Sequence, residues 1–408
     1  MLLRGVITAP PSKSYSHRAV LAASLAKGKS IIRNVSDCDD VKWTIKACRA
    51  LGARVKKTGT TLEINGFGKN PKSPRNVYFG GSGTTLRLML PLFSLCKKLV
   101  ILNGDRSLQK RPNKELLRAM KELGIKTASR NGKLPITVFP SSVSGKRTHI
   151  TVKSSQFISS LLFFSALGNF EILARDISSR PYIDMTADIM EISGITVKRK
   201  GNKFTTRGNF KKINYAVPGD WSLASLFISA ACFIPSQITI RGLKNDRQGD
   251  REILRIMKKM GAKIDVGKDL KIYGNQNLRG LSLYMRDFPD IVPAVAMAAA
   301  FADGKTTISG IAGLRDKESN RVTGIIGVLK AFGARTAFRD GKIVVGGNRN
   351  FTPKKTALGK REHKNDHRLA MMAALLGMLS NSKILDIGCV NKSYPTFQRD
   401  LRCLKSVQ

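Results

Sequence analysis

Six stretches of the 408-residue chain are apolar at almost every position. They are AVLAASLA (19–26), LRLMLPLFSL (86–95), FISSLLFFSAL (157–167), LASLFISAACFI (223–234), VPAVAMAAAFA (292–302) and LAMMAALLGML (369–379). A surface helix keeps a polar face, and these runs keep none, so each predicts a helix buried all round. Behind each comes a shorter, β-branched stretch that predicts a strand: SIIRNV, LVILNG, FEILAR, SQITIRG, TTISGI and KILDIG.

A second phrase recurs between them. It reads RALGARV (49–55), KELGIKT (121–127), EISGITV (191–197), KKMGAKI (258–264) and KAFGART (330–336). The shared glycines, Gly52, Gly124, Gly194, Gly261 and Gly333, are 72, 70, 67 and 72 residues apart. Each predicts an amphipathic helix closed by a left-handed glycine and followed by strands. The unit is strand, buried helix, strand, polar loop, surface helix, glycine, strands. Stacking solenoids use shorter repeats, of about 20–50 residues. Six longer units predict an α/β (α+β) chain of two domains, each of three βαβαββ repeats, with buried helices inside and sheets outside.

Polar residues gather just before every buried helix. They are Ser12 to Arg18, Gly80 to Thr85, Ser154-Ser155-Gln156, Pro218-Gly219-Asp220, Asp287 to Asp290 and Asn365 to Arg368. Taken singly, Ser, Thr, Asp and Asn there are ordinary helix caps. Six in register, two of them carrying arginine, point further. Helix N-termini offer unpaired N–H groups and a positive dipole end, which favour phosphate and carboxylate. Lysine and arginine add charge-assisted contacts. A second polar set follows the strands: DRSLQKRP (105–112), SSRPYID (178–184), RDKESNR (315–321) and NKSYP (391–395). By composition alone, RDKESNR also reads as a solvated helix start with local ion pairs.

Charge sharpens this picture. The net charge is +43, from 71 Lys and Arg against 28 Asp and Glu. Such a balance suits nucleic acid, small anionic substrates, or a generally basic proteome. It is spread along the chain, and aromatic residues are only 7%, so no interleaved RNA-binding signature appears. The six cysteines stand singly, without CxxC pairs or histidines at ligand spacing, so thiols in a reducing compartment are expected and a zinc site is not. No apolar run is long enough to span a bilayer, and the start lacks a signal-peptide core. A cytoplasmic protein is expected.

The pieces PSKSYSHR, GSGTTLR, QKRP, SSQF, SRPYID, FPDI, RDKESNR, NDHR and NKSYP resemble, in order and over essentially the whole chain, the 5-enolpyruvylshikimate-3-phosphate synthase family of enolpyruvyl transferases. The resemblance implies an inside-out α/β fold of two three-repeat domains closing on substrates at a cleft. It divides the chain into 11–219 and a discontinuous 1–10 with 220–408. It also implies transfer of enolpyruvyl from phosphoenolpyruvate to the 5-hydroxyl of shikimate 3-phosphate, with no metal or organic cofactor. On the family pattern, Lys13 touches both substrates. Ser14, Arg18, Ser154, Ser155, Gln156, Ser179 and Lys317 hold shikimate 3-phosphate, with Asp290 as the base facing its 5-hydroxyl. Gly83, Arg111, Gln156, Arg321, Arg368 and Lys392 hold phosphoenolpyruvate. Glu318 is the second proton-transfer group, and whether Glu318 or Lys392 protonates the methylene carbon stays open.

Two positions depart from that pattern. Gly81 stands where the family often has asparagine, and Gly313 where some members do, so neither polar contact is carried over. The sister enzymes acting on UDP-N-acetylglucosamine usually carry a reactive cysteine in the loop corresponding to 104–112, which here has none. RNA 3′-phosphate cyclases, built from related units, are the nucleic-acid alternative. The placement of the cations at helix ends favours two small anionic substrates, with no nucleic-acid or membrane partner, and nothing demands more than a monomer.

Overall fold

The computed structural model describes residues 3–151, 154–274 and 276–404, and the chain divides into two compact units. One is Pro11–Pro218. The other joins the residues up to Pro10 to those from Gly219 onward. The first unit holds α1 (Lys13–Leu25), α2 (Asp39–Ala50), α3 (Gly83–Met89), α4 (Arg106–Gln109), α5 (Lys114–Glu122), α6 (Ser155–Gly168) and α7 (Pro181–Ile192). The second holds α8 (Trp221–Phe233), α9 (Glu252–Lys259), α10 (Val292–Ala300), α11 (Arg321–Ala331), α12 (His367–Leu379) and α13 (Phe397–Leu404).

The apolar runs are the buried helices. α1, α3 and α6 are enclosed over most of their length in one unit, and α8, α10 and α12 in the other. Each buried Leu, Ile or Phe contributes about 1.5–3 kcal/mol, and this drives the arrangement. α5 and α9 bury one face only, as their polar patterning requires.

Among the described residues, five four-stranded sheets repeat one plan. The strand after the buried helix pairs in parallel with one neighbour and antiparallel with the far arm of a hairpin. In one sheet the order is Asn76–Tyr78, Val100–Asn103, Ile136–Val138, Thr127–Ser129. Its register sets Val77 opposite Leu102 and Leu102 opposite Ile136, and all three are buried. The alternate row points away from the core, as the period of two demands. The five repeat glycines hinge these hairpins to their helices, all at positive φ between +83° and +107°.

The chain passes between units at two proline-marked points. Leu3–Thr8 precedes α1, yet it pairs with Ser236–Arg241 in the second unit. Asn214–Ala216 precedes α8, yet it pairs with Lys29–Arg33 in the first. The Ser12 amide donates to the Pro218 carbonyl and the Asp220 amide to the Pro10 carbonyl, both at 2.8 Å. Proline leaves these carbonyls available while removing a competing donor.

Two expectations change. The run LRLMLPLFSL is not one helix: α3 ends at Met89 and a 3₁₀ turn, Leu90–Leu95, follows. Pro91 cannot donate into the α-helical ladder, so the chain tightens there. The stretch KILDIG forms a strand only at Lys383–Ile384, paired with Ala357–Leu358 in a two-stranded sheet. Asp386 turns left-handed at φ 53° and a 3₁₀ segment, Ile387–Lys392, replaces the expected continuation. No helix among the described residues is long and apolar enough to cross a membrane.

Candidate active site

Capping accounts for four of the six polar helix starts. The side chains of Ser12, Ser82, Asp220 and Asp366 accept backbone N–H groups at the starts of α1, α3, α8 and α12. Ser154 precedes α6 without capping it, and no side chain caps the Pro289–Ile291 turn or α10 behind it. Ser154 and Asp290 are therefore polar residues at helix entries that the helices do not consume.

In the Pro11–Pro218 unit the first group forms around α1. Lys13 Nζ donates to Asp40 Oδ2 at 2.9 Å, an ion pair to the first turn of α2 with Asp40 almost fully enclosed. Arg18 is 1% exposed. Its Nε donates to Thr186 Oγ1 (2.8 Å) and its Nη1 to the Ser14 carbonyl (2.9 Å). Its Nη2 donates to the Tyr182 carbonyl (2.9 Å) and to Ser159 Oγ (3.4 Å). Burial lowers its pKa to about 10, yet it stays charged. Arg18 thus pins α1 to α6 and α7. Ser179, at φ 54°, lies in the turn before α7, and Ser155 is buried at the head of α6.

The second group forms around α3. Arg87 Nη1 donates to Gln156 Oε1 at 2.8 Å, and Gln156 Nε2 donates to Thr84 Oγ1 at 2.9 Å. Arg87 also donates to Asn113 Oδ1 and to the Pro112 carbonyl, tying in the loop that carries Arg111. Gly83 is placed by close approach: a Cβ there would lie 2.8 Å from Arg111 Nη1. Only glycine leaves that guanidinium its position.

The other unit holds a denser cluster. Arg321 opens α11 and is 1% exposed. It donates to Asp366 Oδ2 from Nε (3.0 Å), to Asp290 Oδ1 from Nη1 (3.0 Å) and to Glu318 Oε2 from Nη2 (2.6 Å). Lys317 Nζ lies 3.2 Å from Asp290 Oδ1. Arg368 Nη2 lies 3.5 Å from Asp290 Oδ2, and its Nη1 donates to the Asp290 carbonyl at 2.9 Å. Lys392 Nζ stands 4.0 Å from Glu318 Oε1. Burial alone would lower the Arg321 pKa, but Asp366, Glu318 and Asp290 outweigh it and raise it. Burial would raise the Asp290 pKa, but Lys317, Arg368 and Arg321 together hold it well below the ordinary carboxylate value.

All six residues expected in this unit, Asp290, Lys317, Glu318, Arg321, Arg368 and Lys392, come together. Their charge differs from the expectation. Four cations face three carboxylates, so the cluster is nearly balanced although the chain carries +43. Asp40, Arg87 and Asp366 were not singled out from sequence. Arg87 and Asp366 lie inside the GSGTTLR and NDHR motifs. Asp40 has only its place in the first turn of α2, in a chain short of carboxylates.

Comparison with known proteins agrees with this architecture. The family model for EPSP synthase (3-phosphoshikimate 1-carboxyvinyltransferase) matches residues 2–401. The 3-phosphoshikimate 1-carboxyvinyltransferase of Methanobrevibacter smithii is 38% identical over 425 aligned positions, covering 96% of this chain and 94% of that one. That of Archaeoglobus fulgidus is 36% identical, covering 98% and 96%. Among solved structures, an EPSP synthase from Acinetobacter baumannii superposes with a TM-score of 0.82 at 24% identity, covering 98% of this chain and 96% of that one, which shows the shared fold. The enolpyruvyl transferase NikO from Streptomyces tendae gives 0.78 at 18% identity, covering 98% and 95%. With the family model spanning almost every residue and relatives this similar over their full lengths, the chain belongs to the EPSP synthase family.

Proposed function

We propose that this chain transfers the enolpyruvyl group of phosphoenolpyruvate to the 5-hydroxyl of shikimate 3-phosphate, releasing inorganic phosphate. The observation that carries this reading is the grip of Lys317, Arg321 and Arg368 on the single carboxylate of Asp290. In this state Asp290 is a weak base, because three cations stabilise its charge. An arriving phosphate or carboxylate competes for the same cations. As they turn to the substrate, Asp290 loses its stabilisation and its basicity rises.

In the addition step the 5-hydroxyl oxygen bonds to C2 of phosphoenolpyruvate. Its proton passes to Asp290, and a proton from the Glu318–Lys392 pair goes to the methylene carbon, making it a methyl. In the elimination step the C2–O bond to phosphate breaks, a methyl proton is returned, and the enol ether double bond forms. The arginines and lysines offset the charge on the departing phosphate. Lys13 and Gln156 are assigned to both substrates, Ser14, Ser154, Ser155, Ser179 and Lys317 to shikimate 3-phosphate, and Gly83, Arg111, Arg321, Arg368 and Lys392 to phosphoenolpyruvate. Arg18 serves mainly by fixing α1, since four of its contacts are already made to protein.

The test is phosphate release by the purified protein. Release is expected only when phosphoenolpyruvate and shikimate 3-phosphate are both present. Equal release without the shikimate ester would refute the assignment.

A further inference from the structure

One buried titratable group lies beside the first group of site residues and is not used by the chemistry above. His17, four residues after Lys13 on α1, is 0% exposed. Its Nδ1 lies 2.6 Å from Thr44 Oγ1 on α2. Thr44 Oγ1 lies 2.7 Å from Thr85 Oγ1 on α3, and that oxygen lies 2.7 Å from Ser82 Oγ. Thr85 Oγ1 also donates to the Asp40 carbonyl at 3.2 Å. Among the described residues His17 Nε2 has no hydrogen-bond partner.

One set of proton directions satisfies every contact in this chain. The Asp40 carbonyl can only accept, so the Thr85 hydroxyl points to it. The Thr85 oxygen then receives from Ser82 and Thr44. Thr44 has given its hydrogen away, so its oxygen receives from an N–H at His17 Nδ1. That leaves a bare lone pair, not a stranded N–H, at the unpartnered Nε2. A neutral ring with its proton on Nδ1 satisfies every donor in the chain. Burial lowers the His17 pKa to about 3, which keeps the ring neutral.

We propose that His17 is a positioning residue for enolpyruvyl transfer. Through Thr44 and Thr85 it holds the Lys13–Asp40 pair in register with the Gly83 turn. The inference rests on the function proposed above. It makes an asymmetric claim, because Arg18 independently ties α1 to α6 and α7 through Thr186, Ser159 and Tyr182. Losing His17 removes the α1–α2 contact that leads through Thr44 to the Gly83 turn, assigned to phosphoenolpyruvate, and leaves α3 held to α6 by Arg87 and Gln156. The Ser14 side, assigned to shikimate 3-phosphate, stays anchored.

The experiment compares wild type with His17→Leu, Thr44→Val and His17→Asn, using steady-state kinetics on both substrates and thermal melts. His17→Leu and Thr44→Val are expected to raise KM for phosphoenolpyruvate about tenfold, and KM for shikimate 3-phosphate by less than about twofold. His17→Asn places an amide N–H where Nδ1 stood and is expected to bring KM for phosphoenolpyruvate within about threefold of wild type. A ring that only fills space predicts lower melting temperatures, equal KM changes and no rescue by asparagine. That result, or an unchanged KM in Thr44→Val, overturns the proposal. If His17→Leu fails to fold, Thr44→Val, which keeps the side-chain shape, decides alone. ¹⁵N shifts of labelled histidine in wild type give a separate check: the Nε2–H tautomer would contradict the chain. A wild-type protein that releases no phosphate from the two substrates sinks the function and this inference with it. An active wild type whose variants lack the asymmetry sinks only the inference.

Discussion

Asp366 accepts from Arg321 Nε at 3.0 Å with both partners sealed from solvent, at 0% and 1% exposure. The same carboxylate accepts the Arg368 amide at 3.0 Å and Ser319 Oγ at 3.2 Å. One buried anion therefore orients one candidate substrate cation through its guanidinium and another through its backbone. Removing one partner of a buried pair costs about 3–5 kcal/mol, mostly from the charge left behind. Asp366→Asn keeps the shape and removes the charge. It is expected to lower unfolding free energy by about 3 kcal/mol and to raise KM for phosphoenolpyruvate. Denaturant melts that coincide with wild type would show that Asp366 is not the anchor.

Asp290 and Glu318 carry the proton transfers in the proposed reaction. Asp290→Asn and Glu318→Gln are each expected to lower turnover about 10²-fold or more. Calorimetry should still detect shikimate 3-phosphate binding in both, since the assigned serines and Lys13 remain. Near-normal turnover in either variant would remove that residue from the chemistry.

Stability should fall in acid in two steps. His17 has a folded pKa of about 3, lowered chiefly by burial, against an ordinary value of 6.5. Between those values the unfolded chain takes up a proton that the folded chain refuses. Its contribution is complete above pH 6.5 and is lost towards pH 3, on the order of 5 kcal/mol in all. Asp290, held well below 3.8, adds a second loss as pH falls below that value. Melts of His17→Asn should be flatter than wild type between pH 6.5 and 4, and those of Asp290→Asn flatter only below about pH 4. Parallel curves for all three proteins would contradict both assignments.

Gly83→Ala tests the close approach of Arg111. A new methyl 2.8 Å from Nη1 must displace the end of a long side chain, not backbone. The fold should survive, with a melting temperature near that of wild type. KM for phosphoenolpyruvate is expected to rise severalfold while KM for shikimate 3-phosphate holds. An equal rise in both would mean that the turn is displaced as a whole.

The sequence carried the framework because hydrophobic pattern is a one-dimensional signal. Runs with no polar face had to be interior, and five glycines at a fixed spacing had to close helices. Local exceptions came where one residue overrode the pattern. Pro91 broke a helix that composition alone extends, and Asp386 turned a strand that KILDIG continues. The cations of the candidate site and two of their carboxylate partners, Asp290 and Glu318, were readable from their motifs, but the buried partners Asp40 and Asp366 were not. Asp40 and Asp366 matter because folding leaves them buried against Lys13 and Arg321, and burial of a single carboxylate leaves no periodic trace. The near-neutral balance around Arg321 was hidden for the same reason.

The strand Leu3–Thr8 is made first and needed late. Its partner, Ser236–Arg241, leaves the ribosome only after the whole Pro11–Pro218 unit has been synthesised. During translation the first unit can close its own sheets with Asn214–Ala216 while the opening residues wait unpaired. An affinity tag at the amino end is thus attached to the waiting edge strand of the later-folding half, whereas a tag after α13 follows a helix that packs on that strand and is made last. Expression yield should depend on which end carries it.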